Sequence, residues 1–151
     1  MKLITRFFIA FILIVIFTGC SNSQLSGNAK QANFIEPELV VKPDDAGKRK
    51  GAGRTIKLPL LVWSSFEYKD VADLRGAVDV KLNYCVISET DGISVKLDTP
   101  IGFIEDATCF NTLFTSADGI PHKYIVGLVK VKLLETGEEV WTWSKAVKIS
   151  E

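Results

Sequence analysis

From residue 54 onward, apolar and polar residues alternate in short runs with the two-residue period of β-strands that bury one face. The clearest pattern lies near the C-terminal end of the chain, where residues 123–133 and 139–149 alternate on either side of the turn segment 134–138. Two alternating runs joined by a short glycine-containing turn predict a β-hairpin. Residues 78–87 alternate in the same way and predict a further strand.

Three shorter patterns complete the predicted strands. Residues 55–63 predict a strand in which Pro59 marks a bulge or an edge. Residues 91–92 are an Asp-Gly turn signal, and residues 93–97 are expected to return as the second strand of a tight hairpin. Residues 100–104 predict another short strand.

Two segments lack a clear period. Residues 64–76 predict a short helix or a packed loop, and residues 105–115 suit one helical turn or a strand equally well. The pattern as a whole contains six or seven short strands and no long amphipathic helix. The predicted fold class is therefore all-β, with at most one short helix, in a small antiparallel β-sandwich or barrel.

The N-terminus carries a different pattern, in which basic residues precede an unbroken apolar run. Lys2 and Arg6 come first, residues 7–17 are all apolar, and the small residues Thr18 and Gly19 follow. This order is that of a secretory signal peptide. The run of eleven residues is shorter than the roughly 20 that a membrane-spanning helix needs. An uncleaved N-terminal anchor is the alternative.

Residues Phe17, Thr18, Gly19 and Cys20 resemble the lipobox of bacterial lipoproteins. Thr18 and Gly19 match the small residues of that family, and Phe17 stands where it usually has Leu, Val or Ile. In the family the cysteine is diacylated, the peptide is cut before it, and the new amino terminus is acylated. The resemblance implies a palmitate-type lipid anchor on Cys20. Because Ser21 and not Asp follows, it also implies the outer membrane, facing the periplasm.

The composition predicts three regions. Residues 1–19 form the signal peptide, residues 20–53 carry the lipidated cysteine with a flexible tether and a basic loop, and residues 54–151 form one β-rich periplasmic domain. Within the tether, the apolar patch 34–41 is compatible with an edge strand, because a proline at residue 37 interrupts it.

The cysteines and the charge limit the chemistry further. With Cys20 assigned to the lipid, Cys85 and Cys109 are predicted to form a disulfide in an oxidising compartment, with two buried free thiols as the alternative. Cys85 falls on the opposite face of its predicted strand from the alternating apolar residues. The disulfide is therefore expected to lie outside the main core, where it attaches a connecting segment to this strand. The chain has a net charge of zero and its signal carries two basic residues. The mature chain is therefore slightly acidic, which argues against nucleic acid as a partner.

No motif points to catalysis, a cofactor or a metal. His122 is the only histidine and is expected to be solvated in a loop, without the clustered ligands of a zinc site. The chain contains no Gly-x-Ser-x-Gly elbow of the kind that presents a serine nucleophile. The protein is therefore not expected to be an enzyme.

Aromatic residues are better candidates for function. Trp141 and Trp143 lie two residues apart and share a face of the predicted strand. Either both belong to the core, or they form, with Tyr124, an exposed partner-binding patch, since tryptophan is enriched at binding hot spots. The hairpin over residues 130–149 is similar to the strand-turn-strand that ends several bacterial envelope lipoproteins, including the penicillin-binding-protein activators. No function is transferred from that similarity.

The sequence thus predicts a non-catalytic lipoprotein that binds, or is an accessory subunit of, an envelope protein or complex in secretion, pilus or wall-synthesis assembly. One alternative is a carrier of a lipid or small hydrophobic ligand, with apolar residues lining a barrel. Another is an inhibitor or exclusion protein, in which the charged loop 44–54 blocks an attacking enzyme or a phage receptor.

Overall fold

The computed structural model describes residues 30–41, 54–73 and 80–150. Within these ranges the chain forms thirteen short strands and a single 3-10 turn at Ser144–Ala146. The strands are β1 (Lys30–Phe34), β2 (Glu38–Val41), β3 (Arg54–Lys57), β4 (Leu61–Trp63), β5 (Glu67–Asp73), β6 (Val80–Ser88), β7 (Ile93–Ser94), β8 (Pro100–Asp106), β9 (Asn111–Thr115), β10 (Pro121–Tyr124), β11 (Leu128–Leu133), β12 (Glu139–Trp143) and β13 (Val147–Ile149). The predicted all-β class is confirmed, and the sheets are consistent with a small sandwich.

The strands form three sheets. A seven-stranded sheet has the order β13-β1-β8-β11-β12-β4-β7, a four-stranded sheet has the order β10-β9-β6-β5, and β2 pairs with β3. Among the described strand pairs, β6 and β9 run parallel and the others are antiparallel. The chain passes between the two larger sheets after β4, β6, β8 and β10, and these four connections tie the sheets together.

The strand count exceeds the predicted six or seven for two reasons: three long alternating segments are divided, and β1, β2, β5 and β9 form in segments where no strand was clearly predicted. Residues 123–133 include the end of β10 and all of β11, which belong to different sheets. Residues 139–149 are split into β12 and β13 by the 3-10 turn, and residues 55–63 are split into β3 and β4 around Pro59. Each half keeps its own two-residue period, so alternation alone does not reveal where a chain leaves one sheet for another.

Two uncertain segments are strands. Residues 67–73 form β5, which pairs with β6 along its whole length, so the helix or packed loop predicted for residues 64–76 is wrong. The side chains of residues 67–71 are exposed, which explains why no apolar period marks this strand. Residues 111–115 form β9, the strand alternative of the two that the sequence left open.

The hairpin predicted around residues 91–92 is wrong. The turn exists, since Gly92 N donates to Glu89 O at 3.1 Å, but β7 pairs with β4 of the seven-stranded sheet and not with β6. A Cβ added to Gly92 would lie 3.0 Å from both Leu61 Cδ1 and Trp63 Nε1. The turn therefore packs closely against β4, and a larger residue at position 92 would have to displace the Leu61 and Trp63 side chains by a few tenths of an ångström.

The folded domain begins before residue 54. Strand β1 lies inside the seven-stranded sheet, between β13 and β8, and Ala32 and Phe34 are buried. The flexible tether predicted within residues 20–53 is therefore wrong for residues 30–33, which are polar but take their backbone partners from β8 and β13. The apolar patch ends in β2, which has one neighbour among the described strands, as the edge-strand prediction required. The predicted signal peptide over residues 1–19, Cys20 and most of the predicted basic loop lie outside the described residues.

The core is built around two buried tryptophans. The rings of Trp63 and Trp143 meet edge to face, with centroids 5.2 Å apart. Trp63 Nε1 donates to Ser88 O at 2.7 Å, and Trp143 Nε1 donates to Pro59 O at 2.9 Å. Both indole N–H groups are thus satisfied, as a buried tryptophan requires.

The disulfide between Cys85 and Cys109 is confirmed. It joins β6 to the segment that leads into β9, and both cysteines are buried within the core. The disulfide was expected to lie outside the core, and this prediction is wrong. Strand β6 is buried on both faces at this point, because Tyr84 is buried on one face and Cys85 on the other. Alternation cannot distinguish a strand with two buried faces from one with a single buried face.

Candidate binding surface

A cluster of three aromatic side chains, called here the aromatic surface, lies where β12 meets the chain at the start of β5. It consists of Phe66, Tyr68 and Trp141. Phe66 is in the middle, with its ring centroid 4.7 Å from that of Tyr68 and 4.8 Å from that of Trp141, and both contacts are edge to face. Tyr68 is 52% exposed, and the other two are partly exposed. The cluster joins the two larger sheets at the protein surface.

A charged pair borders the aromatic surface. Lys130 lies opposite Trp141 in the register of β11 and β12, and its Nζ is 6.0 Å from the centroid of that ring. The same Nζ donates to Glu139 Oε2 at 2.7 Å. This hydrogen bond is the main reason that the pKa of Lys130 is raised and the pKa of Glu139 is lowered. The ammonium is therefore held at the margin of a cation–π contact with Trp141.

Trp143 does not belong to this surface. It is 0% exposed and is enclosed by Trp63, by Phe114 with a centroid distance of 5.5 Å, and by Tyr124 at 6.3 Å. Trp141 and Trp143 share a face of β12, but β9 and β10 of the four-stranded sheet cover that face at Trp143. The prediction that Trp143 contacts a partner is therefore wrong, and it is a core residue.

Tyr124 lies on a different part of the molecule from Trp141. It is partly exposed beside a surface groove of about 320 Å³ between β2 and β10. The residues that line this groove are Leu39, Val40, Val41, Lys123, Tyr124 and Ile125. Burial is the main cause that raises the pKa of the Tyr124 hydroxyl, with Arg54 opposing the shift and Glu89 adding to it. The predicted patch of Trp141, Trp143 and Tyr124 is thus divided among a surface, the core and a groove.

His122 is not a solvated loop residue, because it lies in β10 and is partly buried. Its ring is parallel to that of Tyr124, with centroids 5.7 Å apart, and its Nε2 is 3.3 Å from Ser116 Oγ. The Ser116 hydroxyl donates to the Asp118 carboxylate, which lowers the pKa of Asp118. The Ser116 hydroxyl also lies 3.0 Å from Ile120 O, so these contacts lie within the turn that connects β9 to β10.

Within residues 30–41, 54–73 and 80–150, no three His, Cys, Asp or Glu side chains are grouped so that they could hold a metal ion. The described part of the chain also has no helix with the length and apolar character to cross a membrane. Compared with known protein families, curated proteins and solved structures, the chain matches none of them.

Two members of the aromatic surface are not predicted as binding residues by the sequence pattern. Phe66 was expected in a helix or packed loop, and Tyr68 was not singled out. The available signal was their spacing, because two aromatic residues two positions apart share a face if the segment is extended. The assignment of Lys130 to the neighbourhood of Trp141 follows only from the β11–β12 register.

Proposed function

We propose that this protein is a lipoprotein of the bacterial outer membrane that faces the periplasm and binds another envelope protein without catalysing a reaction. In this proposal Cys20 carries the lipid, and the aromatic surface binds the partner. The single observation that carries the proposal is the partly exposed cluster of Phe66, Tyr68 and Trp141 on two sheets joined by a common core.

The geometry of the aromatic surface suits a binding site. Tyrosine and tryptophan supply a large contact area with few rotatable bonds, and they are enriched among the residues that dominate binding energies. Edge-to-face packing on Phe66 already restricts the rings of Tyr68 and Trp141. Ordering these side chains on association therefore costs less than it would for isolated surface residues. Lys130 and Glu139 provide a polar margin, as the rim of a protein–protein interface does.

The proposal is tested by photocrosslinking in cells. Tyr68 is replaced by p-benzoylphenylalanine, which keeps an aromatic side chain at the most exposed position of the aromatic surface. Irradiation is expected to produce a discrete crosslinked species of higher mass. The matched control carries the same amino acid in place of Ile93, which is exposed on β7.

The two positions separate the outcomes. A discrete species from position 68 that is absent from position 93 supports the proposal. Adding Trp141→Ala to the chain labelled at position 68 should weaken that crosslink, because Trp141 belongs to the same surface. No species at position 68, or identical species from both positions, would contradict the proposal that this surface binds a partner.

A second candidate function is a carrier of a small hydrophobic ligand. It is favoured by the groove between β2 and β10, whose volume of about 320 Å³ lies in the range of small-molecule sites. Native mass spectrometry of the chain purified from membranes tests this candidate. A co-purified ligand that is lost on Tyr124→Ala would support a carrier, and a ligand-free protein would contradict it. The inhibitor alternative depends on loop 44–54, of which only Arg54 lies among the described residues.

A further inference from the structure

An exposed apolar corner is formed by the connection from β8 to β9 and the connection from β10 to β11. Phe110 is 82% exposed and Ile125 is 77% exposed, the highest values among the large apolar residues of the described ranges. Phe110 precedes β9 and Ile125 follows β10. Val40, which is 64% exposed, lines the groove beside Ile125. We call Val40, Phe110 and Ile125 the corner patch.

The two chain segments at this corner are held firmly together. Ala107 N donates to Leu128 O at 2.9 Å, and Thr112 Oγ1 donates to Val126 O at 2.7 Å. A Cβ added to Gly127 would lie 2.5 Å from Cys109 O, so only glycine permits this close approach. The neighbouring disulfide also fixes Cys109 in the core. The exposed side chains therefore project from a rigid part of the fold.

The corner lies at the end of the seven-stranded sheet at which β1 begins. Lys30 begins β1 opposite Phe103 of β8, and β8 continues to Asp106, which lies opposite Val129 near the start of β11. Three residues of strand correspond to about 10 Å, so the corner lies about that far beyond Lys30, at the end of the sheet where β1 begins. The span from residue 20 to Lys30 reaches at most about 35 Å, which keeps this end of the sheet near a lipid attached at residue 20.

The charges around the corner patch are mixed. Lys123 lines the groove with Val40 and Ile125, and its Nζ is 4.9 Å from the centroid of the Tyr84 ring. Glu105 and Asp106 are exposed at the end of β8. The repulsion of these two carboxylates by anionic lipid largely balances the attraction of Lys123. The exposed apolar side chains are therefore the feature that favours contact with a bilayer surface. A lysine stem beside them can reach the headgroups while the apolar groups enter the acyl boundary.

We infer that the corner patch rests in the phospholipid surface of the membrane that anchors the protein, which orients the body and turns the hairpin of β11 and β12 away from the bilayer. This inference rests on the proposed function, because it needs the lipid on Cys20. The described body thus has a second contact with the membrane besides the acyl chains.

The test measures the depth of a spin label in the membrane. The full chain is produced from its own signal, and the mature protein is reconstituted into vesicles of phosphatidylethanolamine with phosphatidylglycerol. Ile125→Cys receives a nitroxide, because Cys85 and Cys109 are joined and Cys20 carries the lipid in the proposal. The control is Ile120→Cys, since Ile120 is also an exposed apolar residue but lies at the opposite end of β9 and β10.

At position 125 we expect collisions with a water-soluble nickel complex to be several-fold fewer than at position 120, and collisions with oxygen to be more frequent. Adding Phe110→Ser should raise the nickel accessibility at position 125 and leave position 120 unchanged. Equal accessibility at positions 120 and 125 would overturn the inference.

Mass spectrometry of the N-terminal peptide separates this failure from that of the proposed function. An acylated Cys20 with a water-exposed label at position 125 refutes the corner patch and leaves the anchor intact. A mature chain without acyl groups on Cys20 refutes the anchor and the inference together.

Discussion

Two tryptophans on the same face of β12 should respond in opposite ways to truncation. Trp143 is enclosed by core residues and Trp141 lies on the aromatic surface. Trp143→Ala is therefore expected to lower the free energy of unfolding far more than Trp141→Ala. Conversely, Trp141→Ala is expected to reduce partner binding in a protein that remains folded.

The magnitude follows from the burial of each ring. A fully buried tryptophan removes about 250 Å² from water, which at about 25 cal/mol per Å² is worth about 6 kcal/mol. This figure is an upper bound, because alanine retains part of the burial and the unfolded chain is not fully extended. Replacing a buried Phe or Trp by Ala typically lowers the free energy of unfolding by about 3–5 kcal/mol. We expect about 4 kcal/mol for Trp143→Ala. For Trp141→Ala we expect about 1–2 kcal/mol, because part of its ring is already in solvent.

A third variant keeps the comparison measurable if Trp143→Ala fails to fold. Trp143→Phe retains most of the ring but removes the N–H group that donates to Pro59 O. This substitution should lower the free energy of unfolding by about 1–3 kcal/mol, which is the range for leaving a buried hydrogen-bond acceptor without its donor. Urea titration followed by far-UV circular dichroism gives the free energies of unfolding. Equal costs for Trp141→Ala and Trp143→Ala would refute the assignment of one ring to the core and the other to the surface.

Three further outcomes are expected. Replacing Cys85 and Cys109 by alanine should lower the free energy of unfolding by about 3.5 kcal/mol in the chain-entropy model for a loop of about 25 residues, and no loss in urea titration would contradict a buried structural disulfide. Gly137→Ala should cost about 1 kcal/mol, because Gly137 has φ of +79° in the β11–β12 turn, and the same titration showing no change would contradict that turn. The Ser116 hydroxyl lowers the pKa of Asp118 below its ordinary 3.8, so the stability that Asp118 contributes is present above pH 3.8 and is lost as the pH falls through its folded pKa. The free energy of unfolding of the natural chain should therefore exceed that of Asp118→Asn at neutral pH, and the difference should disappear in acid. A difference that grows as the pH falls would contradict this.

The sequence predicts the class of the fold well because alternation is a local property. The β11–β12 hairpin follows from alternating residues around Gly137, whose left-handed conformation the turn requires. The disulfide follows from counting cysteines once Cys20 is assigned to the lipid. Both inferences use information contained within short segments or in the composition.

Features that depend on distant pairing could not be predicted. Lys30–Phe34 is a polar segment, and it becomes an inner strand only because β8 and β13 flank it. Residues 67–71 of β5 are exposed and show no apolar period, and the strand is stabilised by its pairing with β6. Trp141 and Trp143 look alike in sequence, and only the placement of β9 and β10 over one of them decides which is buried.

The central claim is that an acylated chain touches an envelope protein through the aromatic surface. It is tested most directly by growing cells with radiolabelled palmitate and irradiating a chain that carries p-benzoylphenylalanine in place of Tyr68. We expect one discrete crosslinked species that contains the palmitate label, and none containing it when Cys20→Ala is introduced. A crosslinked species without palmitate, or palmitate-labelled chain with no crosslink from position 68, would contradict the claim.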